Sequence, residues 1–282
     1  MSRDSTALVI SIDSAYVDPA CTMLRSLAAN TTLDRVDVRV LHNDLDEEAV
    51  RLLRAQRPDV LDVVAVRVEG PDLTVDAGSH ISDATYRKLT ASEACAEFDR
   101  LVILDVDVVV LGDVRELFEA DLADRPLAAV QDAFNPLLTS PFAFPAGDRS
   151  PDEYRGLPYF NSGVMVVDAA QWRELRIEER AVEFAQDRSR VKIWEQDALN
   201  GVLAGNWTQL DPRWNCFPIS ELARHVRVRN MLAVRGSGIS ALRRWEQEAK
   251  LIHFVGRDKP WLAKYPDTAN RRRYLSYQQD AG

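Results

Sequence analysis

Cysteine is scarce in this chain of 282 residues. Cys21, Cys95 and Cys216 are odd in number, far apart and without a C-x-x-C pair. That removes the usual signature of a zinc ribbon or a dithiol redox centre and leaves three small core residues as the plain reading. Long apolar runs are missing too. No stretch approaches the roughly 18 residues that a membrane-crossing helix needs, and no basic-then-apolar leader opens the sequence, so the cytoplasm is the expected location. Positive charge is in deficit, with a formal net charge of -9. This argues against wholesale binding to nucleic acid or to an anionic membrane, since both reward a basic surface. Internal repeats, low-complexity tracts and linkers are also absent. What is left has the profile of an ordinary globular chain, 46% hydrophobic and 28% charged, long enough to bury a sizeable core.

Periodicity predicts strands alternating with helices. "TALVISID" is an apolar run of strand length, and "PACTMLRSLAAN" repeats its apolar residues at helical spacing. "VDVRVLHNDL" alternates like a strand, "DEEAVRLLRAQR" reads as an acid-capped helix, and "VVAVRVEG" as the next strand. "DATYRKLTASEACAE" predicts one more helix leading into "RLVILDVDVVVLGDV". Such alternation implies a largely parallel sheet covered on both faces. From 131 to 158 the chain is dense in proline, glycine and aromatics, and a loop of that length is expected to be functional or mobile. Regular structure resumes with "YFNSGVMVVDAAQW", the helices "IEERAVEFAQDRSR" and "EQDALNGVLAG", and a last strand "AKLIHFVG". The basic, aromatic "NRRRYLSYQQ" reads as a solvated helix end, with peripheral membrane contact as the weaker option.

The acids in "LDVDVV" raise the chemical question. Side chains alternate along a strand, so Asp105 and Asp107 would share a face if the strand ran through them. Two carboxylates that close repel each other unless a cation or a proton lies between them. At the C-terminal end of a parallel strand, a hard divalent cation is the economical explanation. The competing reading is a turn cap beside a solvated acid. "DVDVV" also satisfies the D-x-D-x-[TV] pattern of haloacid-dehalogenase-like phosphatases, in which Asp105 would be the nucleophile.

Together with "LVILDVDVVV", the later stretches "YFNSGVMVVD", "EQDALNGVL", "LDPRWNC" and "IHFVGRDKPW" resemble, in that order, glycosyltransferase family 8, from "SIDSAY" to "KPW". The resemblance implies an α/β GT-A fold, a Rossmann-like, mostly parallel central sheet flanked by helices. It also implies a single transfer domain over 1–282: a nucleotide-binding part over about 1–130, a donor and acceptor part over about 131–262 and a helical tail over 263–282.

Carried over residue by residue, the resemblance implies a Mn²⁺ or Mg²⁺ site of Asp105, Asp107 and His253. It places Ser11, Asp13, Tyr16, Val106, Asp107, Gly256 and Lys259 around the nucleotide, with Asp13 on the uracil and Tyr16 stacked on the ring. Asp13 is equally placed to cap the following helix. Lys88, Asp105, Asn161, Glu195 and Gln196 fall at donor-sugar positions, with Arg87 as rival to Lys88. Glu195, Gln196 and Lys259 would carry the chemistry. Glu195 stands where many relatives have Asp, so their donor preference does not transfer. Asp211 and Asn215 in "LDPRWNC" are left between acceptor contact and loop architecture.

The implied activity is retaining transfer of a hexose from a UDP-sugar, UDP-glucose or UDP-galactose, to a hydroxyl of a glycan, a lipid-linked saccharide or a small metabolite. A phosphatase, a non-catalytic sugar-nucleotide sensor and a self-glucosylating protein using Tyr154, Tyr159, Tyr265, Tyr274 or Tyr277 are the alternatives.

Overall fold

A computed structural model of the chain describes residues 5–71, 73, 84–140, 152, 154–187, 191–219 and 239–279. Within the main sheet β1 (Thr6–Ser11) lies between β2 (Val36–His42) and β4 (Arg100–Leu104), with β3 (Leu61–Arg67) outside β2. β1 has to be apolar on both sides because both of its faces are covered. Leu8 and Ile10 enter one core, with Met23, Leu24 and Leu27 of α1 (Val17–Asn30). Ala7 and Val9 enter the other, with Trp172, Ala181 and Ala198. α1 starts after a 3-10 turn, Ser14–Tyr16, which Asp13 caps by accepting from Ala15 N–H at 3.0 Å. Asp46 caps α2 (Glu47–Arg54) in the same way through Ala49 N–H at 2.8 Å.

β1 to β4 pair in parallel. β7 (Phe160–Asp168) then pairs antiparallel with both β4 and β6 (Leu127–Gln131), and the two-residue β8 (Thr208–Gln209) closes the seven-stranded sheet in parallel with β6. β7 alone runs against the other strands, so the sheet is mostly parallel, as expected. The register of β6 against β7 slips between Ala129 and Val130, whose partners jump from Met165 to Asn161. A bulge in β7 therefore takes up Ser162, Gly163 and Val164, which no residue of β6 faces.

Three expectations change. The run 100–114 is not one strand: β4 ends at Leu104, and β5 (Val108–Val110) leaves the main sheet to pair antiparallel with β9 (Leu251–His253). The last predicted strand therefore exists but belongs to this two-stranded ribbon. The predicted helix over "DATYRKLTASEACAE" is broken into Ala84–Arg87, a 3-10 turn Lys88–Thr90 and Ala91–Ala94. Thr90 Oγ1 donates to Arg87 O at 2.8 Å, a side-chain bond that competes with the helical ladder.

The C-terminal helix Ala269–Gln279 is not a solvated end. Tyr274 is buried against Phe254 and Trp261, and Arg25 and Asn30 of α1 donate to Tyr277 O and Tyr277 Oη at 2.6 and 2.9 Å. Its exposed side carries Arg272 and Arg273. All three cysteines are free and buried. Among the described residues no helix is long and apolar enough to cross a membrane. The Pro- and aromatic-rich segment is described only in part: Leu138 N–H donates to Leu157 O, and Tyr159 N–H to Pro136 O, while 141–151 and 153 lie outside the described residues.

After the short helices α3 (Ala84–Arg87), α4 (Ala91–Ala94), α5 (Arg115–Phe118) and α6 (Ala169–Glu174), α7 (Ile177–Gln186) buries Ile177, Ala181 and Ala185 along one stripe and sets Glu178 beside it. Burial, with Glu93 and Glu179 near, pushes the Glu178 carboxyl up to about 7. A carboxyl whose pKa is higher in the fold than in the unfolded chain favours folding when protonated. Its stability contribution is greatest below about pH 4.3 and declines as pH rises towards the folded value. Glu178→Gln is therefore expected to gain about 1–3 kcal/mol more stability at pH 8 than at pH 5 in urea unfolding. Equal gains at both pH values would show that Glu178 does not carry this dependence.

Candidate active site

β1 and β4 are parallel, so they end on the same edge of the sheet, and a cavity of about 300 Å³ opens there. Open α/β sheets bind ligands at this edge. Ser11, Asp13 and Tyr16 line it from the end of β1, and Asp105, Val106 and Asp107 from the break between β4 and β5. Asn161 and Ser162 come from the bulge in β7, and Glu195 and Gln196 from the first turn of α8 (Trp194–Leu203). His253, Gly256 and Lys259 come from β9 and the loop beyond it, and Lys88 from the 3-10 turn that interrupts the predicted helix. The residues expected around the metal, the nucleotide and the donor sugar thus line one space, whereas Arg87, Asp211 and Asn215 are not part of its lining.

Local structure explains several placements. The β5–β9 register sets His253 opposite Val108, one residue past Asp107, and Phe254 N–H donates to Asp107 O at 2.9 Å. Gly256 has φ of 87°, a left-handed conformation that a side chain would strain. Ser11 Oγ donates to Ala84 O at 2.7 Å, tying the end of β1 to the start of the broken helix. Tyr16 meets the edge of Trp261 with ring centres 6.0 Å apart.

The electrostatics centre on the two acids. Lys88 Nζ donates to Asp105 Oδ1 at 2.7 Å and lies 2.9 Å from Glu195 Oε1. Lys259 Nζ pairs with Asp107 and also donates to Phe254 O at 2.9 Å. His253 Nε2 stands 3.2 Å from Asp107 Oδ1 and 3.7 Å from Asp105 Oδ2. Burial alone would raise the Asp107 pKa, but Lys259 and His253 outweigh it and hold the carboxyl well below the usual range. Burial would lower Lys88, yet two carboxylates share its charge and raise it. Glu195, which has only a share of that lysine and faces Asp105, stays raised by its burial.

One ligand atom from each of Asp105, Asp107 and His253 lies within 4.8 Å of the others. Two carboxylates and an imidazole, with the 31% exposed side of Asp105 turned to the cavity, suit a hard or borderline divalent cation. The residues present fit such an ion.

Beneath the acids lies a floor of amides. Gln196 Oε1 accepts from Ser162 N–H at 3.0 Å and from Asn161 Nδ2 at 2.9 Å, while Gln196 Nε2 donates to Tyr159 Oη at 3.1 Å and towards Asp132 Oδ2 at 3.3 Å. Four residues on, Asn200 takes Phe160 N–H through Oδ1 and returns Nδ2 to Phe160 O, both at 2.9 Å. Side chains of α8 thus replace the strand ladder that the bulge interrupts. Ser162 Oγ also donates to Glu195 Oε1 at 2.8 Å.

Asp13 combines both of its expected positions, capping the 3-10 turn and lining the cavity. Lys88 reaches the acids, whereas the Arg87 guanidinium donates to Ile12 O at 3.1 Å. Four of the tyrosines considered as self-acceptors, Tyr154, Tyr159, Tyr265 and Tyr274, are buried, and Tyr277 is half-buried. Sequence reasoning missed Asp132, Ser162 and Gly163, and considered Tyr159 only as a self-acceptor. Asp132 had one visible signal, a turn-forming acid before "AFNP": its Oδ1 accepts from Phe134 and Asn135 N–H at 2.8 and 2.7 Å.

A mostly parallel sheet with this site at the ends of β1 and β4 is the architecture of the GT-A glycosyltransferases. The chain superposes on the galactosyltransferase LgtC, solved with donor and acceptor sugar analogs, with a TM-score of 0.76 at 22% identity, over 97% of this chain and 95% of that one. The model of glycosyl transferase family 8 matches residues 7–264, and the chain belongs to that family. It is 28% identical over 207 residues to general stress protein A of Bacillus subtilis, covering 71% of this chain and 67% of that protein. To glycosyltransferase GlyF of Streptococcus pneumoniae it is 26% identical over 262 residues, 90% of this chain but 57% of the longer relative. Family membership supports glycosyl transfer over the phosphatase reading.

Gly163 has a steric reason to be glycine. A Cβ there would lie 2.3 Å from His253 Cε1 and 2.7 Å from Nδ1. Gly163→Ala is expected to push the imidazole off the strand and to cost about 1–3 kcal/mol in denaturant unfolding, as overpacking does. An unchanged unfolding midpoint would show that His253 does not rest on this residue.

Proposed function

We propose that this chain transfers a hexose from a UDP-sugar, UDP-glucose or UDP-galactose, to a hydroxyl acceptor with retention at the anomeric carbon, using Mn²⁺ or Mg²⁺. The observation that carries the reading is the convergence of Asp105, Asp107, His253 and Lys259 on one cavity at the C-terminal ends of β1 and β4. Family membership supplies the reaction class, and the site supplies a place for a diphosphate and its counter-ion.

Asp105, Asp107 and His253 would hold the metal, which when bound would neutralise charge on the diphosphate. Lys259 is placed to turn from Asp107 to the departing diphosphate and stabilise the negative charge that grows as the sugar–phosphate bond breaks. The backbone at Gly256 can approach the phosphates without a side chain in the way. Asp13 and Tyr16, with Ser11 and Val106, would receive the uridine. Lys88 and Asp105 would flank the sugar, and Glu195, buried and close to Lys88, would stabilise positive charge developing on the ring.

The amide floor favours same-face transfer. Both protons of Gln196 Nε2 and the accepting lone pairs of Oε1 have protein partners, and an amide is already a poor nucleophile. Asn161 is likewise committed: Nδ2 donates to Asp132 and Gln196, and Oδ1 accepts from Gly163 N–H and Asn215. Gln196 and Asn161 are therefore read as the shaped floor under the donor sugar. The acceptor hydroxyl would attack from the side the diphosphate leaves, without a glycosyl-enzyme intermediate.

We read the chain as one transfer domain, with the nucleotide handled mainly by residues before about 130 and the acceptor by the part that follows, working in the cytoplasm on a glycan, a lipid-linked saccharide or a small metabolite.

Isothermal calorimetry of UDP and UDP-sugars, with Mn²⁺ and with EDTA, tests the reading. Binding is expected only with the metal, and Asp107→Ala should weaken it at least about 100-fold, since it removes a metal ligand and unpairs Lys259. Binding that is indifferent to EDTA and to Asp107→Ala would overturn the metal assignment. Binding with no turnover of any UDP-sugar would replace the enzyme by a sugar-nucleotide sensor.

A further inference from the structure

His253 can serve a metal only through the ring nitrogen that lacks a proton, so what decides its tautomer decides its use. Nε2 is the nitrogen that faces Asp105 and Asp107. Nδ1 faces Asn215 Oδ1 at 2.9 Å. Whether that contact demands a proton on Nδ1 depends on which way the Asn215 amide is turned.

The answer can be traced to backbone groups whose polarity is not adjustable. Gly163 N–H is a donor, and Asn161 turns Oδ1 to it at 3.0 Å. The opposite orientation would set an NH₂ against that N–H and a carbonyl against Asp132 Oδ2 and Gln196 Oε1, both acceptors. Gln196 Oε1 is itself fixed by a second backbone donor, Ser162 N–H. With Asn161 Oδ1 set, Asn215 must present Nδ2 to it, at 2.8 Å, and its own Oδ1 therefore turns to His253. An oxygen acceptor at Nδ1 requires Nδ1–H. Nε2 faces carboxylate acceptors as well, so the contact at Nδ1 leaves Nε2 as the nitrogen that is free to give up its proton for a cation.

We propose that Asn215 is a positioning residue that passes the hydrogen-bond polarity of the β7 bulge to His253, holding its proton on Nδ1 and presenting Nε2 between Asp105 and Asp107. The inference rests on the metal reading of that site for its purpose, although the tautomer itself does not. The geometry is rigid enough for the task. Asn215 and His253 are both buried, and Asn215 ends the 3-10 turn Pro212–Asn215, which Asp211 caps through Arg213 N–H at 3.0 Å. The next residue is stitched to β9, with Cys216 N–H on Leu251 O at 3.0 Å and His253 N–H on Cys216 O at 2.8 Å. Gly163 on one side and the Phe217 ring, 5.7 Å away on another, hold the imidazole in place. Partners of this kind behind a metal-binding histidine typically change metal affinity 10–100-fold.

The test is nitrogen-15 NMR of the His253 imidazole in the metal-free full chain, with its signal assigned by its loss in His253→Gln. Wild type should carry a proton on Nδ1, whether or not the carboxylates hold a second one on Nε2. Asn215→Leu should leave a proton on Nε2 alone, where the carboxylates accept it, and weaken Mn²⁺ binding in the presence of UDP about 10–100-fold. Asn215→Asp, which keeps an acceptor at His253, should leave the proton on Nδ1. A wild-type ring protonated on Nε2 alone, or an unchanged tautomer and Mn²⁺ affinity in Asn215→Leu, would overturn the proposal. If Asn215→Leu does not fold, the wild-type and Asn215→Asp tautomers decide. A wild-type Nδ1 proton in a chain that binds no Mn²⁺ would uphold the relay and sink the metal reading instead.

Discussion

Two carboxylates, Asp105 and Asp107, stand where the chain leaves the central sheet, and each meets a lysine from a distant segment, Lys88 and Lys259. Carboxylates this close repel each other unless cations stand beside them, and removing one partner of such a pair is more costly than the pair is stabilising. Several irregular features serve that requirement. The predicted helix over 83–97 tightens at Lys88–Thr90, where Lys88 reaches two acids. The strand stops at Leu104, and the ribbon of β5 and β9 brings His253 and then Lys259 to the same place. The regular part of the fold, by contrast, only has to hold the edge of the sheet still.

The opposite wall is made of amides rather than charges. The β7 bulge frees backbone N–H groups at Ser162 and Gly163, and Gln196 and Asn161 take them up. These bonds give the floor a fixed polarity, with carbonyl oxygens turned to the strand and NH₂ groups turned to Asp132 and Tyr159. A site whose dipoles are already bonded has little to reorganise when charge develops in it, the condition under which electrostatic stabilisation is most effective. It also separates two kinds of residue in the same cavity: Lys88, Lys259 and Glu195, whose charges can answer a ligand, and Asn161 and Gln196, whose hydrogen bonds are already made within the protein.

The regular elements were legible in the sequence because their cause is local. The apolar run "ALVI" of β1 reads as a doubly covered strand, and Asp46 and Asp13 announce helix starts by residue type. The cavity-lining residues were legible through resemblance, which transmits positions but not partners. What could not be read depends on contacts between segments far apart. The break after Leu104 follows from β5 finding β9, more than 140 residues later. The docking of the C-terminal helix depends on Arg25 and Asn30, whose side chains mean nothing in particular until Tyr277 is beside them. "LDPRWNC" remained ambiguous for the same reason. Asp211 is a turn cap paired with Arg213, while Asn215 turns inward to His253, and no spacing rule distinguishes the two. Glycine at 163 is explained only by the imidazole lying on it.

In the proposed transferase, one divalent ion is held at the same time by His253 and by the diphosphate of the donor. Pulsed electron paramagnetic resonance of Mn²⁺ bound to the chain with UDP examines that directly, because it detects nitrogen and phosphorus nuclei in the ion's coordination shell. A directly bound imidazole nitrogen, lost in His253→Gln, is expected together with phosphorus coupling from the diphosphate. Phosphorus coupling without the nitrogen signal would mean that the nucleotide carries its metal in without this site, and would rule out the shared ion.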